Sequence, residues 1–236
     1  MAAPLANAAL SVLPVNLEDL ETLSRIQAVA TAPTAPVHAV IYPHGSTDKV
    51  LAIDTATKQR SFNQPELYYR KVVEKREGQQ EGDGEIVAFA RWYIWSQGRN
   101  DDGWFKPYVF KADEGFAPGE VNVAAASEYY GKADVMKKKH IQDIPHLYIS
   151  LLATRPEWQG RGCGRLLMNE AFRMAKEHGL NDVYLISVAA SRSFYERCGF
   201  ETVDTLTLNL TALAGVGGEK PDEWVDTYLL RATTPP

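Results

Sequence analysis

Cysteine is scarce in this chain: Cys163 and Cys198 are the two thiols among 236 residues. Two isolated thiols make neither a disulfide framework nor a metal cluster, so a reducing, cytoplasmic setting and no metal site are expected. Long apolar runs are missing as well. No segment approaches the ~18 uninterrupted apolar residues a membrane helix needs. The opening MAAPLANAALSVLPVN has no basic stretch ahead of an apolar one, so it does not read as a secretory signal. Positive charge is in short supply too, with 25 Lys and Arg against 30 Asp and Glu and a formal net charge of −5. A nucleic-acid binder needs a basic face to displace counterions, so neither nucleic acid nor membrane is an expected partner. One local basic pocket remains compatible with this balance.

What is present suffices for a globular domain: 45% hydrophobic and 23% charged residues, in a chain long enough to bury a real core. Ser11 to Val15 reads as a strand. Asn16 then caps an amphipathic helix through about Ala30, with Leu17, Leu20, Leu23 and Ile26 on one face. The proline-rich TAPTAP stretch ends it. Residues 37–65 give no clear pattern. Leu67 to Val73 and Ile86 to Trp95 read as the arms of a long hairpin around EGQQEGDGE. Residues 97–119 read as loop and Val121 to His140 as helix.

Leu147 to Ala153 is almost continuously apolar, as in a strand buried on both faces. Leu167, Ala171, Met174 and Ala175 then recur at helical spacing up to a His178-Gly179 stop. Val183 to Val188 is a second buried strand, and Ser191 to Cys198 a short helix ended by Gly199. Thr202 to Leu210 is a strand, Thr211 to Pro221 a loop, and Val225 to Arg231 one more strand. With no internal repeat and no clear linker, residues 1–236 are expected to form a single α/β domain.

The segment LLATRPEWQGRGCGRLLM, Leu151 to Met168, carries the chemistry. A buried strand runs into a glycine-rich turn with a helix directly behind it. A helix N-terminus presents backbone N–H groups without partners and a partial positive charge. Gly160, Gly162 and Gly164 let an anion approach that backbone, and Arg161 and Arg165 add charge. The Walker loop is excluded, because no Lys-Ser or Lys-Thr follows the glycines. The dinucleotide fingerprint is excluded by GxGxG spacing, and the nucleophile elbow by the absence of GxSxG.

The motif that matches is QxxGxG, formed by Gln159, Gly162 and Gly164. It resembles the pyrophosphate loop of the GNAT superfamily of acyl-CoA-dependent N-acetyltransferases. SFYERCGF, Ser193 to Phe200, resembles that family's second signature, a tyrosine in a short helix followed by a glycine-aromatic pair. The resemblance covers about residues 146–205, and it is closest to fungal members whose acceptors are poorly defined. It implies an α/β fold with a central mixed sheet, two splayed parallel strands and flanking helices.

The resemblance also implies roles. Acetyl-CoA is the expected co-substrate. Leu151, Leu152 and Ala153 would meet the pantetheine and thioester, and Gln159, Gly160, Arg161, Gly162, Cys163, Gly164 and Arg165 the pyrophosphate. The acceptor amine would attack directly, and Tyr195 would protonate the departing thiolate. Cys163 is read as loop packing rather than as a nucleophile. The general base is open. Ser150 stands where fungal-type relatives carry Glu, while Ile186 and Val188 replace their usual contacts. His146 and Tyr148 on the same strand are the substitutes, with His146 the expected second catalytic residue.

Eleven of the chain's 24 aromatic residues lie between Phe89 and Tyr130, among them Trp92, Trp95, Trp104, Phe105, Tyr108, Tyr129 and Tyr130. Consecutive Trp92, Tyr93, Ile94 and Trp95 cannot all face one core. An acceptor-side region of about residues 97–145 is therefore expected to line a cleft for a small, partly apolar amine. A protein N-terminal or lysine acetyltransferase and a non-catalytic CoA-binding module are the other function classes. A monomer or homodimer is expected.

Overall fold

The computed structural model describes residues 9–31, 35–75, 84–99, 116, 118–215 and 223–234. Seven strands form one sheet in the order β1-β2-β3-β4-β5-β7-β6. They are β1 (Ala9–Pro14), β2 (Leu67–Lys75), β3 (Glu85–Trp95), β4 (His146–Thr154), β5 (Asp182–Val188), β6 (Glu201–Asn209) and β7 (Trp224–Thr233). Every neighbouring pair is antiparallel except β4 and β5. The parallel pair needs a crossover, which is α5 (Cys163–Glu177). The expected hairpin is present as β2 and β3.

Two layers of helix cover the sheet. On one face α5 buries Leu167, Met168, Ala171, Met174 and Ala175 against Trp92, Ile94, Leu147, Ile149, Val183 and Leu185. On the other face α1 (Leu20–Thr31) packs Leu20, Leu23, Ile26 and Ala30 against Tyr69, Phe89 and Ala153. Asn16 and Asp19 form a capping box before α1, and the Asn16 N–H donates to the Asp19 carboxylate at 2.7 Å. Further along the same face, α4 (Val123–Ile141) lays Met136 and Ile141 on Tyr184 and Leu229.

Residues 37–65, unreadable in the sequence, hold α2 (Pro36–Ile41) and α3 (Asp48–Ser61). α3 leans on α1 through polar contacts, Thr55 Oγ1 to Ser24 Oγ at 3.0 Å and Lys58 Nζ to Gln27 Oε1 at 2.9 Å. The stretch expected as loop after β6 opens with a short helix, α7 (Leu210–Leu213). The short helix after β5 is α6 (Ala189–Glu196).

Two irregularities of β4 shape the site. First, Arg91 pairs with Leu151 and Trp92 with Ile149, so Ser150 is an extra residue, a β-bulge. The bulge inverts the alternation. Leu147 and Ile149 face α5, whereas beyond it Leu151 and Ala153 face α1 and Leu152 turns towards the α5 side. Second, β4 and β5 pair only from His146–Asp182 to Ile149–Leu185. Beyond that point β4 stays with β3 and β5 stays with β7, and the two strands splay.

Candidate active site

The splay opens into one cavity of about 1300 Å³. It begins at the glycine-rich turn, passes between the ends of β4 and β5, and emerges on the opposite face between α1 and α4.

At the glycine end, Pro156–Trp158 form a single 3-10 turn after β4, and Trp158 is buried in the main core. The Arg161 guanidinium stacks 5.0 Å from the Trp158 ring. Gly162 caps α5 with φ +89°, a left-handed conformation that disfavours a Cβ. A Cβ built there would meet nothing within 4 Å, so the backbone faces open space. Leu166 is the first residue to donate back, to the Gly162 carbonyl at 3.0 Å. The N–H groups ahead of it therefore point out of the helix into the cavity mouth. Gly164 has a different cause. A Cβ there would lie 2.9 Å from the Phe194 ring, so this glycine lets α5 and α6 touch.

At the splay, the β5-facing backbone groups of β4 beyond Ile149 have no strand partner. Tyr195, on α6, lines the cavity with 8% exposure, its ring edge-on to Phe194 and Phe200. Burial raises its hydroxyl pKa above the ordinary tyrosine value, with Cys198 and Tyr148 adding in the same direction.

On the far side the cavity is aromatic and polar. Tyr93 and Trp95 stack with centroids 5.9 Å apart at 11°, and both line it. Trp92 and Ile94 face the core instead, which is the division that strand alternation demands. Tyr148 lies under Lys137, 5.3 Å from its Nζ, and Lys137 pairs with Asp134 at 2.5 Å. Burial raises the Tyr148 pKa, and pushes Tyr129 up to about 12. Arg91 projects from β3 into this wall. Its Nε donates to Ser150 Oγ at 2.9 Å, and that hydroxyl donates back to the Arg91 carbonyl at 3.1 Å.

The sequence-derived residues converge in part. Leu151, Leu152, Ala153, Gln159, Gly160, Gly162, Cys163, Gly164, Arg165 and Tyr195 all line the cavity. Cys163 is 1% exposed and burial raises its thiol pKa, so its backbone is the part that faces outward. Arg161 is not among the lining residues; its guanidinium lies over the ring of Trp158, which is. Arg165 donates to the Arg197 carbonyl at 3.3 Å, tying α5 to the end of α6. His146 also lines the cavity, but at a distance from the splay. It begins β4 opposite Asp182, at the closed end of the parallel pair, and is fully buried. Six residues of strand, roughly 20 Å, separate it from Leu152. Its Nδ1 lies 2.6 Å from the Ile144 carbonyl, its Nε2 has no partner, and burial lowers its pKa.

Trp104, Phe105 and Tyr108 lie outside the described residues. Among the described residues no group of three or more His, Cys, Asp or Glu is placed to hold a metal ion. No described helix is long and apolar enough to cross a membrane. Sequence reasoning missed Arg91 and its tie to Ser150. The available signal was a lone arginine inside the apolar run IVAFARWYIW.

Comparison with known proteins agrees with this architecture. The model of the Acetyltransferase (GNAT) family matches residues 53–200. An uncharacterized N-acetyltransferase of Methanocaldococcus jannaschii is 30% identical over 117 residues, which span 48% of this chain and 46% of that relative. The match thus covers less than half the relative's length. A structure described as a histone acetyltransferase and related acetyltransferase from Corynebacterium glutamicum aligns with TM-score 0.53 and 18% identity over 97% of this chain and 98% of that one. An N-acetyltransferase from Staphylococcus aureus aligns with TM-score 0.52 and 17% identity, over 97% and 100%. The C-terminal condensation domain of Ebony, solved with beta-alanyl-dopamine, aligns with TM-score 0.61 and 10% identity, over 96% and 99%. The splayed parallel strands and the glycine turn on α5 fall within a family match covering more than half the sequence, and the chain belongs to the GNAT acetyltransferase family.

Proposed function

We propose that this protein transfers an acyl group, acetyl in the first instance, from its CoA thioester to the primary amine of a small molecule. The observation that carries this reading is the continuity of the cavity. One space joins the open N-terminus of α5, the unpaired edge of β4 and the aromatic cleft beyond. The residues present fit CoA: open space above Gly162, free N–H donors ahead of Leu166, and the Arg161 charge stacked on the lining residue Trp158 suit a pyrophosphate. The unpaired β4 edge suits the amides of pantetheine.

CoA supplies an activated thioester, and the protein positions it. An N–H near Leu152 donates to the thioester oxygen as negative charge gathers there, a contribution typically worth ~3–4 kcal/mol. The amine nitrogen forms the new bond to carbon while the carbon–sulfur bond breaks. The excess proton of the amine leaves to water in the cleft. Tyr195 gives its phenolic proton to the sulfur and is reprotonated from solvent. Burial keeps that phenol protonated at neutral pH, as an acid in this role requires. Ser150 takes no part in proton transfer, since its hydroxyl is committed to Arg91.

A thiol-release assay with acetyl-CoA over a panel of free amines and of peptides tests the reading. Thiol release with small amines is expected. Release with peptides alone would move the assignment to a protein acetyltransferase. CoA binding without any release would leave a binding module.

A further inference from the structure

We propose that Arg91 is an anchor for an anionic group on the acceptor, a carboxylate in the first instance, so that the substrates are amines of the amino-acid class. This deepens the function proposed above and rests on it. Arg91 faces the acceptor side of the cavity directly opposite Leu151, the β4 residue next to the bulge. Its orientation is fixed from behind. The Ser150 hydroxyl holds Nε and the backbone carbonyl together, which leaves the two terminal nitrogens outside the tie to Ser150. The Tyr69 hydroxyl borders it and interacts with the guanidinium, and burial raises that phenol's pKa, so it is no counter-charge at neutral pH.

Charge around this arginine does not balance. Among the described residues no carboxylate lies within ion-pairing distance of it. Asp54 is the carboxylate whose field reaches it, and Asp54 is already paired with Lys58, which is 1% exposed. Two sequestered cations thus share one anion. The other cations at this end of the lining are engaged elsewhere: Lys137 pairs with Asp134, and Arg99 stacks on Trp95 at 5.2 Å. Glu66 lines the same end without an ion pair to Arg91, leaving a negative group available to the ammonium rather than to the arginine.

A guanidinium held by Nε presents a planar two-donor edge that matches a carboxylate. The Tyr93–Trp95 stack beside it offers apolar surface to the rest of such a molecule. A bulge residue with a hydroxyl is what lets β3 aim this arginine.

Matched amines test the idea in thiol release: L-phenylalanine against 2-phenylethylamine, β-alanine against propylamine, and O-phosphoethanolamine against ethanolamine. The native protein should favour at least one carboxylated amine over its uncharged counterpart by ~100-fold or more in kcat/KM. Preference confined to the phosphorylated pair would overturn the carboxylate assignment, and no preference in any pair would overturn the anchor. Arg91→Gln should collapse the preference, mostly through KM, while Arg91→Lys retains part of it. Equal loss with both members of a pair would instead place Arg91 in general support of the fold or the thioester.

Calorimetry with phenylacetate in the presence of CoA gives a readout free of turnover. Binding should weaken ~30-fold or more in Arg91→Gln, with the CoA-induced rise in melting temperature reporting that the variant is folded. Absence of phenylacetate binding to the native protein sinks the anchor even where amines turn over. Binding without turnover of any amine would sink the transfer reaction and leave the anchor standing.

Discussion

The functional argument turns on a few side chains whose surroundings decide what they can do. Tyr195 is a phenol removed from water yet open to the cavity, flanked by Phe194 and Phe200. Tyr195→Phe keeps the ring packing and deletes only the proton donor. The proposed role predicts a fall in kcat of ~10²–10⁴-fold with CoA affinity and melting temperature nearly unchanged. A merely structural hydroxyl would show the opposite, a loss of ~1 kcal/mol in stability with turnover intact. Measuring kcat and melting temperature on the same variant separates the two. Cys163 shows how burial removes a candidate. Its side chain belongs to the core, burial raises its thiol pKa, and the charged group that reaches it is the Arg161 cation rather than a base. Ser150 shows how one atom changes a role. A hydroxyl at the bulge binds an arginine, where a carboxylate would serve as a base or pair with the guanidinium and neutralise it.

Elements that announce themselves locally were legible in the sequence, and those fixed by distant partners were not. The strand–glycine turn–helix–strand–short helix order from Leu147 to Gly199 is there to be read, because apolar runs and glycine stops are local signals. α3 escaped because it buries little beyond Val50 and Lys58, and α1 holds it through polar pairs. The bulge escaped because an inserted residue leaves no mark in a continuous apolar run, and with it went the Arg91–Ser150 tie. The reason for Gly164 also changes. Sequence suggests room for a ligand, whereas the Phe194 ring demands the space. The two glycines should therefore fail differently. Gly164→Val is expected to lower stability by ~1–3 kcal/mol through overpacking between α5 and α6. Gly162→Val should lose less from packing but carry the strain of φ +89°, on the order of 1–2 kcal/mol. It should also abolish the thermal stabilisation by CoA, because its side chain fills the open space. Melting curves with and without CoA decide this. A Gly162→Val protein that still responds fully to CoA would remove the pyrophosphate from this turn.

At the scale of the molecule, the sheet is two blocks, β1 to β4 and β5 with β7 and β6, joined by a short parallel ladder of four residue pairs. A ligand lying in the splay would touch both blocks, which gives CoA binding leverage on global stability by mass action. The closed end of the seam is where His146 pairs with Asp182. Burial is the main reason its pKa lies below 6.5. The Ile144 carbonyl and Asp182 pull upward, Arg99 pushes down, and the net shift is downward. His38, in the same cavity wall, is lowered by burial alone. For a base whose folded pKa is depressed, the unfolded chain takes up the proton first as pH falls. Stability is thus complete above about 6.5 and declines below it until the folded pKa is reached. The melting temperature should be flat between pH 7 and 8 and fall progressively from about pH 6.5 downward. His146→Asn keeps a donor for the Ile144 carbonyl and cannot ionise. It should have a lower melting temperature at neutral pH, from lost ring packing against Tyr184, yet a shallower decline below pH 6.5. Parallel pH profiles for the two proteins would show that the acid sensitivity lies elsewhere, and that His146 at the seam is a packing residue without electrostatic consequence.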